Sequence, residues 1–265
     1  MKPVIIIVLI IILLIILSIL IFKQFDLFDN NLHPLTEYFY VYNYNNKIRL
    51  GNNSDGGYVI ANIPNPNYDC YLSCGVSNEE SFSRDFINKY NMNNTNSFAF
   101  DASIEKYPTE YTDKITWYKK FIGDKNDNTY TTMDDIITKY NNIFMKMDIE
   151  AGEYPWFNYI NENKLDKFKQ IVLELHWLDN EEYIEKCRIL LEKINKTHYL
   201  IHIHGNNNNS TFKNIPIVLE ATYVNKKEFV STPSLNKIPL PIENLDYPCD
   251  SNNKDILLNY PPFTN

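Results

Sequence analysis

The sequence predicts an α/β fold: a mainly parallel, doubly wound sheet behind one N-terminal transmembrane helix. Three observations lead there. From Tyr68 to Val224, short apolar runs alternate with helical patterns, which gives parallel strands with both sheet faces covered. The first such unit is a strand, a turn with one glycine (Gly75) and a capped helix. Ahead of it all, Val4 to Phe22 is apolar but for one serine. As a helix that run is ~28 Å long, about the thickness of a bilayer's hydrocarbon core.

The elements follow in order. The apolar run ends Leu20-Ile21-Phe22-Lys23, without the small-x-small pattern of a cleaved signal, so it reads as an anchor over residues 1–24. Counting cations puts the N-terminus in the cytoplasm by a small margin, and the body in a lumen or outside. Residues 25–46, rich in Tyr and Asn, read as a stalk. Residues 47–231 form the α/β domain, and the Pro-rich tail 232–265 packs on it. Arg49 to Ile60 contains Asp-Gly-Gly, a turn between two extended stretches, either a plain hairpin or a loop covering a ligand. Tyr68 to Ser73 is a buried strand. Ser77 and Glu80 form a capping box for a helix with Phe82, Phe86 and Tyr90 on one face. Ser97 to Phe100 and Ile115 to Phe121 are further strands. Thr132 caps a helix over 133–140. Ile143 to Ile149 is a central strand. Glu153 to Asn163 is a helix that tolerates Pro155 only in its first turn. Gln170 to Leu175 is a strand. Asp179 and Glu182 cap the clearest helix, Asn180 to Asn195, with Ile184, Cys187, Leu190, Leu191 and Ile194 on its apolar face. Strands at His198 to His204 and Ile217 to Val224 complete the sheet.

A formal charge of −8 argues against a nucleic-acid partner, which favours basic surfaces. The four cysteines show no paired zinc spacing.

Candidate chemistry lies where strands end. Ser73 and Gly75 sit at the first βα turn, the usual cofactor position of a doubly wound sheet. Glu79 and Glu80 open the following helix. They would repel a pyrophosphate but suit a cationic ligand. Asp101 ends the next strand, where an acid can take two ribose hydroxyls. A ribose, a positive charge and no pyrophosphate describe S-adenosyl-L-methionine better than NAD. Asp148 and Glu150 alternate with Met147 and Ile149, so they share a side, and two carboxylates together need a partner. Glu174 and His176 share a face one strand later. His176 is either a general base or a residue that holds an acid in place. His202 and His204 repeat the pattern, with His204 nearer the rim. Asp148, Glu150, Glu174, His176 and His204 would suit a divalent cation if they converged. Spacing does not show that they do, and no metal is assigned.

Taken together, Arg49-x-Gly51, Asp55-Gly56-Gly57-Tyr58-Val59, Tyr71-Leu72-Ser73-Cys74-Gly75-Val76-Ser77, Phe100-Asp101, Lys146-Met147-Asp148-Ile149-Glu150-Ala151-Gly152-Glu153 and Leu173-Glu174-Leu175-His176 resemble the FkbM-like, S-adenosylmethionine-dependent methyltransferases. They are most similar to the membrane-tethered branch. The tail resembles that branch too, through Leu219 to Val224, Pro239-Leu240-Pro241 and Leu245 to Pro248. The resemblance spans about Arg49 to Cys249, and Lys146 to Glu153 is its most specific stretch. It implies a Rossmann-like class I methyltransferase fold with the cofactor over Gly75 and Asp101. It also implies O-methylation of a hydroxyl on a glycan, glycoprotein or small acceptor. Two departures stand out. The glycine loop keeps only Gly75, with Ser73 and Ser77 beside it, and Ala151-Gly152 replaces the commoner Gly-Ala. The expected site is thus Asp148, His176 and Glu150 for catalysis, and Ser73, Gly75, Asp101 and Asp148 for the cofactor. Two rival functions use the same residues. One is an anchored glycosyltransferase with Asp148-x-Glu150 as a metal–nucleotide clamp. The other is a non-catalytic anchored binding protein that keeps the fold.

Overall fold

The structure is a computed structural model that describes residue 11 and residues 13–18 and 32–265. The expected anchor over 1–24 lies outside the described residues except for 11 and 13–18, which are helical and exposed. Among the described residues no helix is long and apolar enough to cross a membrane.

Among the described residues from 32 onward, thirteen strands and five α-helices follow in chain order. A hairpin, β1 (Lys47–Leu50) and β2 (Tyr58–Ala61), comes first. Then come β3 (Cys70–Cys74), α1 (Ser81–Tyr90), β4 (Ser97–Phe100), β5 (Thr116–Tyr118), β6 (Phe121–Ile122), β7 (Tyr130–Thr131) and α2 (Asp134–Ile137). The second half holds β8 (Ile143–Met147), α3 (Glu153–Tyr159), α4 (Glu162–Leu165), β9 (Phe168–Leu175), α5 (Glu181–Thr197) and β10 (His198–Gly205). The short pair β11 (Thr211–Phe212) and β12 (Ile215–Pro216) leads into β13 (Leu219–Asn225).

Seven strands form the central sheet in the order β10-β13-β9-β8-β3-β4-β5. From β9 to β5 every pairing is parallel. β13 is antiparallel to both β9 and β10, so β10 regains the common direction. The sheet is therefore mainly parallel and Rossmann-like, with one reversed strand inserted near its edge. From β3 the chain moves outward through β4 and β5, then returns to β8 on the other side of β3. The strand order reverses between β3 and β8, and a crevice opens beyond such a point.

Alternation along the strands decides which face each side chain covers. Tyr71, Phe144 and Val172 share one apolar cluster with Phe82 and Phe86 of α1. The Phe144 and Phe86 ring centroids are 4.2 Å apart, and Tyr71 stacks on Phe86 at 4.6 Å. Leu72, Met145 and Leu173 belong to the opposite cluster with Trp156 and Phe157 of α3 and Leu190 of α5. Both faces are thus covered, as parallel strands require.

Several local expectations shift. α1 begins at Ser81 rather than at the Ser77–Glu80 box, because Ser77 adopts a left-handed φ of 50°. Glu79 accepts the Ser81 amide at 2.9 Å in its place. Asn180, not Asp179, caps α5, through the Glu182 amide at 3.0 Å. The helix over 133–140 shrinks to α2, and the one over 153–163 breaks at the extended Ile160. The stalk reading fails from Leu35 onward. Leu35, Phe39 and Val41 are fully buried in the α3–α5 cluster, and Tyr42 bridges to Leu235 of the tail. Three large apolar side chains in this short stretch are the physical reason: exposed, each would forgo about 1.5–3 kcal/mol of burial. Leu240, Leu258 and Phe263 of the tail lie in the same cluster. All four cysteines are buried and unpaired.

Candidate functional site

A cleft of about 710 Å³ opens beyond β3, β4 and β8, where the strand order reverses, and Gly75, Asp101, Lys146, Asp148 and Glu150 line it. The β1–β2 turn contributes Asp55 and Gly56 to its wall. The hairpin reading of Asp-Gly-Gly is met, and its turn lines the cleft. Arg49 ties this turn down by donating to the Asn52 and Ser54 carbonyls at 2.7 and 2.8 Å.

Gly75 is required by geometry. Its φ is +83°, and a Cβ there would sit 1.7 Å from the Asp148 carbonyl oxygen. Only glycine adopts that backbone cheaply and lets the ends of β3 and β8 approach this closely. Asp148 in turn donates its amide to the Cys74 carbonyl at 2.9 Å. Lys146 reaches across from β8 and donates to the Gly75 carbonyl at 2.9 Å. Burial alone would lower its ammonium, but Asp148, then Glu80 and Glu174, outweigh burial and keep it protonated.

Asp101 takes a different part from the one expected. Oδ2 accepts the Val76 and Ser77 amides, both at 2.9 Å, and Oδ1 accepts the Ser103 amide and hydroxyl at 2.7 and 2.6 Å. A carboxylate offers about four acceptor positions, and these are all used. Burial would raise its pKa, but the four hydrogen bonds hold it below the usual carboxylate range. Asp101 therefore shapes the β3–α1 turn that lines the cleft, and a ribose would have to displace a donor to bind it. Ser73 does not reach the cleft. It is fully buried, and its hydroxyl donates to Glu80 Oε1 at 3.0 Å. Glu80 also turns inward and accepts from Tyr107 at 2.9 Å. Of the two acids at the start of α1, only Glu79 faces the cleft.

Asp148, Glu150, Glu174 and His176 do converge. His176 Nε2 lies 3.5 Å from Glu150, 3.8 Å from Asp148 and 3.9 Å from Glu174. β8 ends at Met147, so strand alternation is not what places Glu150. A left-handed turn at Glu150 and Ala151, φ 54° and 71°, swings it back towards His176. Trp177, after β9, has a φ of 61°. Such backbone gathers at functional sites. On the far side of the ring, fully buried Glu153 stands 3.6 Å from Nδ1. Burial alone would lower the His176 pKa. Glu153, then Glu174 and Asp148, outweigh it and raise the pKa to about 9. In the ligand-free protein His176 is thus an imidazolium at neutral pH, able to donate a proton but not to accept one. Burial, with Asp148 and Glu220 close by, holds the Glu174 carboxyl well above its ordinary value.

His204 stands apart from this group. It is buried with Nδ1 3.0 Å from Glu220 and Nε2 3.0 Å from Asp255, a doubly satisfied ring. His202 pairs with Asp246 at 2.8 Å.

Sequence reasoning missed Tyr58. Its hydroxyl donates to Asp148 Oδ2 at 3.2 Å and lies 3.4 Å from Glu174 Oε2, which joins two strands' acids. The available signal was a tyrosine in an otherwise apolar run, since a buried phenol needs a partner. Glu220, Cys249 and Asp255 were also missed as neighbours of the histidines. Only the tail's path brings the last two there. Compared with protein-family models and with curated proteins, the chain matches none.

Proposed function

We propose that the protein is an S-adenosylmethionine-dependent methyltransferase that methylates a hydroxyl of a glycan or related acceptor. The observation that carries this is an acid-walled cleft at the point of strand-order reversal, with Gly75 at its floor. Among its lining residues Asp55, Glu79, Asp101, Asp148 and Glu150 are acidic, against Lys120 and Lys146. Such walls favour a sulfonium and an ammonium over a pyrophosphate. Support also comes from the order of six parallel strands with one reversed strand inserted, the arrangement a class I methyltransferase fold calls for. The finer fold assignment rests on this order together with the motif resemblance.

The roles follow from position. The open backbone at Gly75 admits the methionine part of the cofactor. Asp101 holds the turn over which the adenosine lies. Asp148, between Gly75 and His176, stands beside the transferring methyl. Glu150 and His176 orient the acceptor hydroxyl, and Glu150, exposed at the rim, is the base. Much of the acceleration comes from in-line alignment of sulfur, methyl and oxygen. The apolar run from Val4 to Phe22 tethers the domain to membrane lipid, with the domain luminal or extracellular, so acceptors are glycans and glycoproteins at that surface.

Isothermal titration of S-adenosylmethionine into the full chain in detergent tests this. One site per chain, lost in Asp148→Arg, is expected. No binding, or manganese-dependent binding of a nucleotide sugar in its place, contradicts it.

A further inference from the structure

We propose that Asp148, Glu174 and His176 form a site for a hard divalent cation of the Mn²⁺ or Mg²⁺ class. One ligand atom from each lies within 4.8 Å of the other two. They come from the ends of the adjacent parallel strands β8 and β9, so the sheet itself sets their spacing.

An acidic cluster alone does not make a site, but His176 adds an independent sign. Its side chain is 6% exposed, and Nε2 points at carboxylates 3.5–3.9 Å away, beyond good hydrogen-bond geometry. Nδ1 and both oxygens of fully buried Glu153 have no hydrogen-bond partner. Unpaired polar groups this deep are costly. A cation on Nε2 resolves the arrangement. The ring would then carry its proton on Nδ1 and donate to Glu153, as a carboxylate behind a metal-bound histidine commonly accepts.

The surrounding groups orient the ligands the same way. Tyr58 and Lys146 both address Asp148 Oδ2, leaving Oδ1 turned towards His176. Asn206 donates at 3.0 Å to Glu174 Oε1, the oxygen nearest Nε2, and Tyr58 lies 3.4 Å from Oε2, so that carboxylate is held at both oxygens and keeps one lone-pair direction of Oε1 for an ion. With bonds of about 2.1 Å, neighbouring ligand atoms of an octahedral ion stand about 3 Å apart. The observed 3.8 and 3.9 Å separations therefore need only small side-chain movements. Two carboxylates and one imidazole, without a thiolate, suit Mn²⁺ or Mg²⁺. The remaining positions face the cleft, where Glu150 can add a fourth ligand.

The site stands on these residues alone. Its use in catalysis rests on the methyl-transfer reading: a bound acceptor hydroxyl would lose its proton more readily beside the cation.

Mn²⁺ alone, titrated into the full chain in detergent and followed by electron paramagnetic resonance, tests the proposal. One ion per chain is expected, with electron spin-echo modulation from a directly bound imidazole nitrogen. His176→Gln and Glu174→Gln weaken binding at least tenfold. Glu153→Gln weakens it about 10–100-fold without touching the ion. Asp255→Asn, beside His204, leaves it unchanged. No stoichiometric Mn²⁺, or bound Mn²⁺ without the nitrogen modulation, overturns the site. The spin-echo result needs only the wild-type chain, so it decides even if a variant fails to fold. If Mn²⁺ binds as described but S-adenosylmethionine does not, the metal site stands and the methyl-transfer reading falls.

Discussion

At the scale of single residues, Gly75 carries the tightest constraint. A side chain there meets both a left-handed backbone and the Asp148 carbonyl. Gly75→Ala should cost about 2–3 kcal/mol of stability and abolish cofactor binding, read by chemical denaturation and titration. Gly57→Ala meets the Asn52 carbonyl at 1.9 Å, but that clash lies in the hairpin and should spare the ends of β3 and β8. Lys146→Met removes the cation that faces Asp148, Glu80 and Glu174. Stranding those acids should cost about 3–5 kcal/mol at neutral pH. Gly75, Asp148, Glu150 and His176 were legible as candidates because each stands near or just past the end of an apolar strand pattern. The true parts of Ser73 and Asp101 were not. Whether a serine at a turn faces a cleft or a buried glutamate depends on which way that glutamate, seven residues on at the head of α1, turns when the helix packs, and the residue pattern does not carry that.

At the scale of elements, the starts of β9 and β10 are joined by His198. Its Nε2 lies 2.8 Å from the Phe168 carbonyl, which can only accept, so Nε2 carries the proton. Thr197 therefore donates to Nδ1, 2.7 Å away. Burial is the chief cause that lowers its pKa to about 4, with Asp166 opposing and Lys226 and Lys227 adding to the effect. The unfolded chain takes up this proton below about pH 6.5, while the folded chain does so only near 4. His198 thus contributes fully above pH 6.5, and the contribution falls away between 6.5 and 4, by about 3 kcal/mol in all. A series of urea unfolding curves across that window should show the loss, and His198→Gln should flatten it. Strand positions were read well because fully buried runs such as Tyr71-Leu72 and Phe144-Met145 leave little ambiguity. Helix starts slipped by one to a few residues: the left-handed Ser77 moves the start of α1 to Ser81, whose amide Glu79 takes, and Asn180 accepts the Glu182 amide at the start of α5. The β6–β7 pair went unseen, since two-residue strands carry no period.

At the scale of the whole molecule, residues 35–46 ahead of β1 belong to the fold. Phe39 is fully buried and lies 6.4 Å, ring to ring, from Phe263 near the C-terminus. Phe39→Ala should cost about 3–5 kcal/mol, as in any core; a free stalk would show no change in the thermal midpoint. The tail likewise delivers Asp246, Cys249 and Asp255 to His202 and His204, contacts invisible to any reading along the chain. The sheet order was legible only as a class. Alternation of strands and helices implies parallel pairing, but it does not reveal that the reversal falls between β3 and β8 or that β13 runs backward. That reversal is what sets Gly75 against Asp148 and opens the cleft, and the functional proposal depends on it. The most direct test is a crystal structure of the protein soaked with S-adenosylhomocysteine. The expected result is the ligand in the cleft, its amino-acid part over the Gly75 backbone and its sulfur turned towards Asp148. A ligand bound elsewhere, or a cleft that excludes it, would contradict the account.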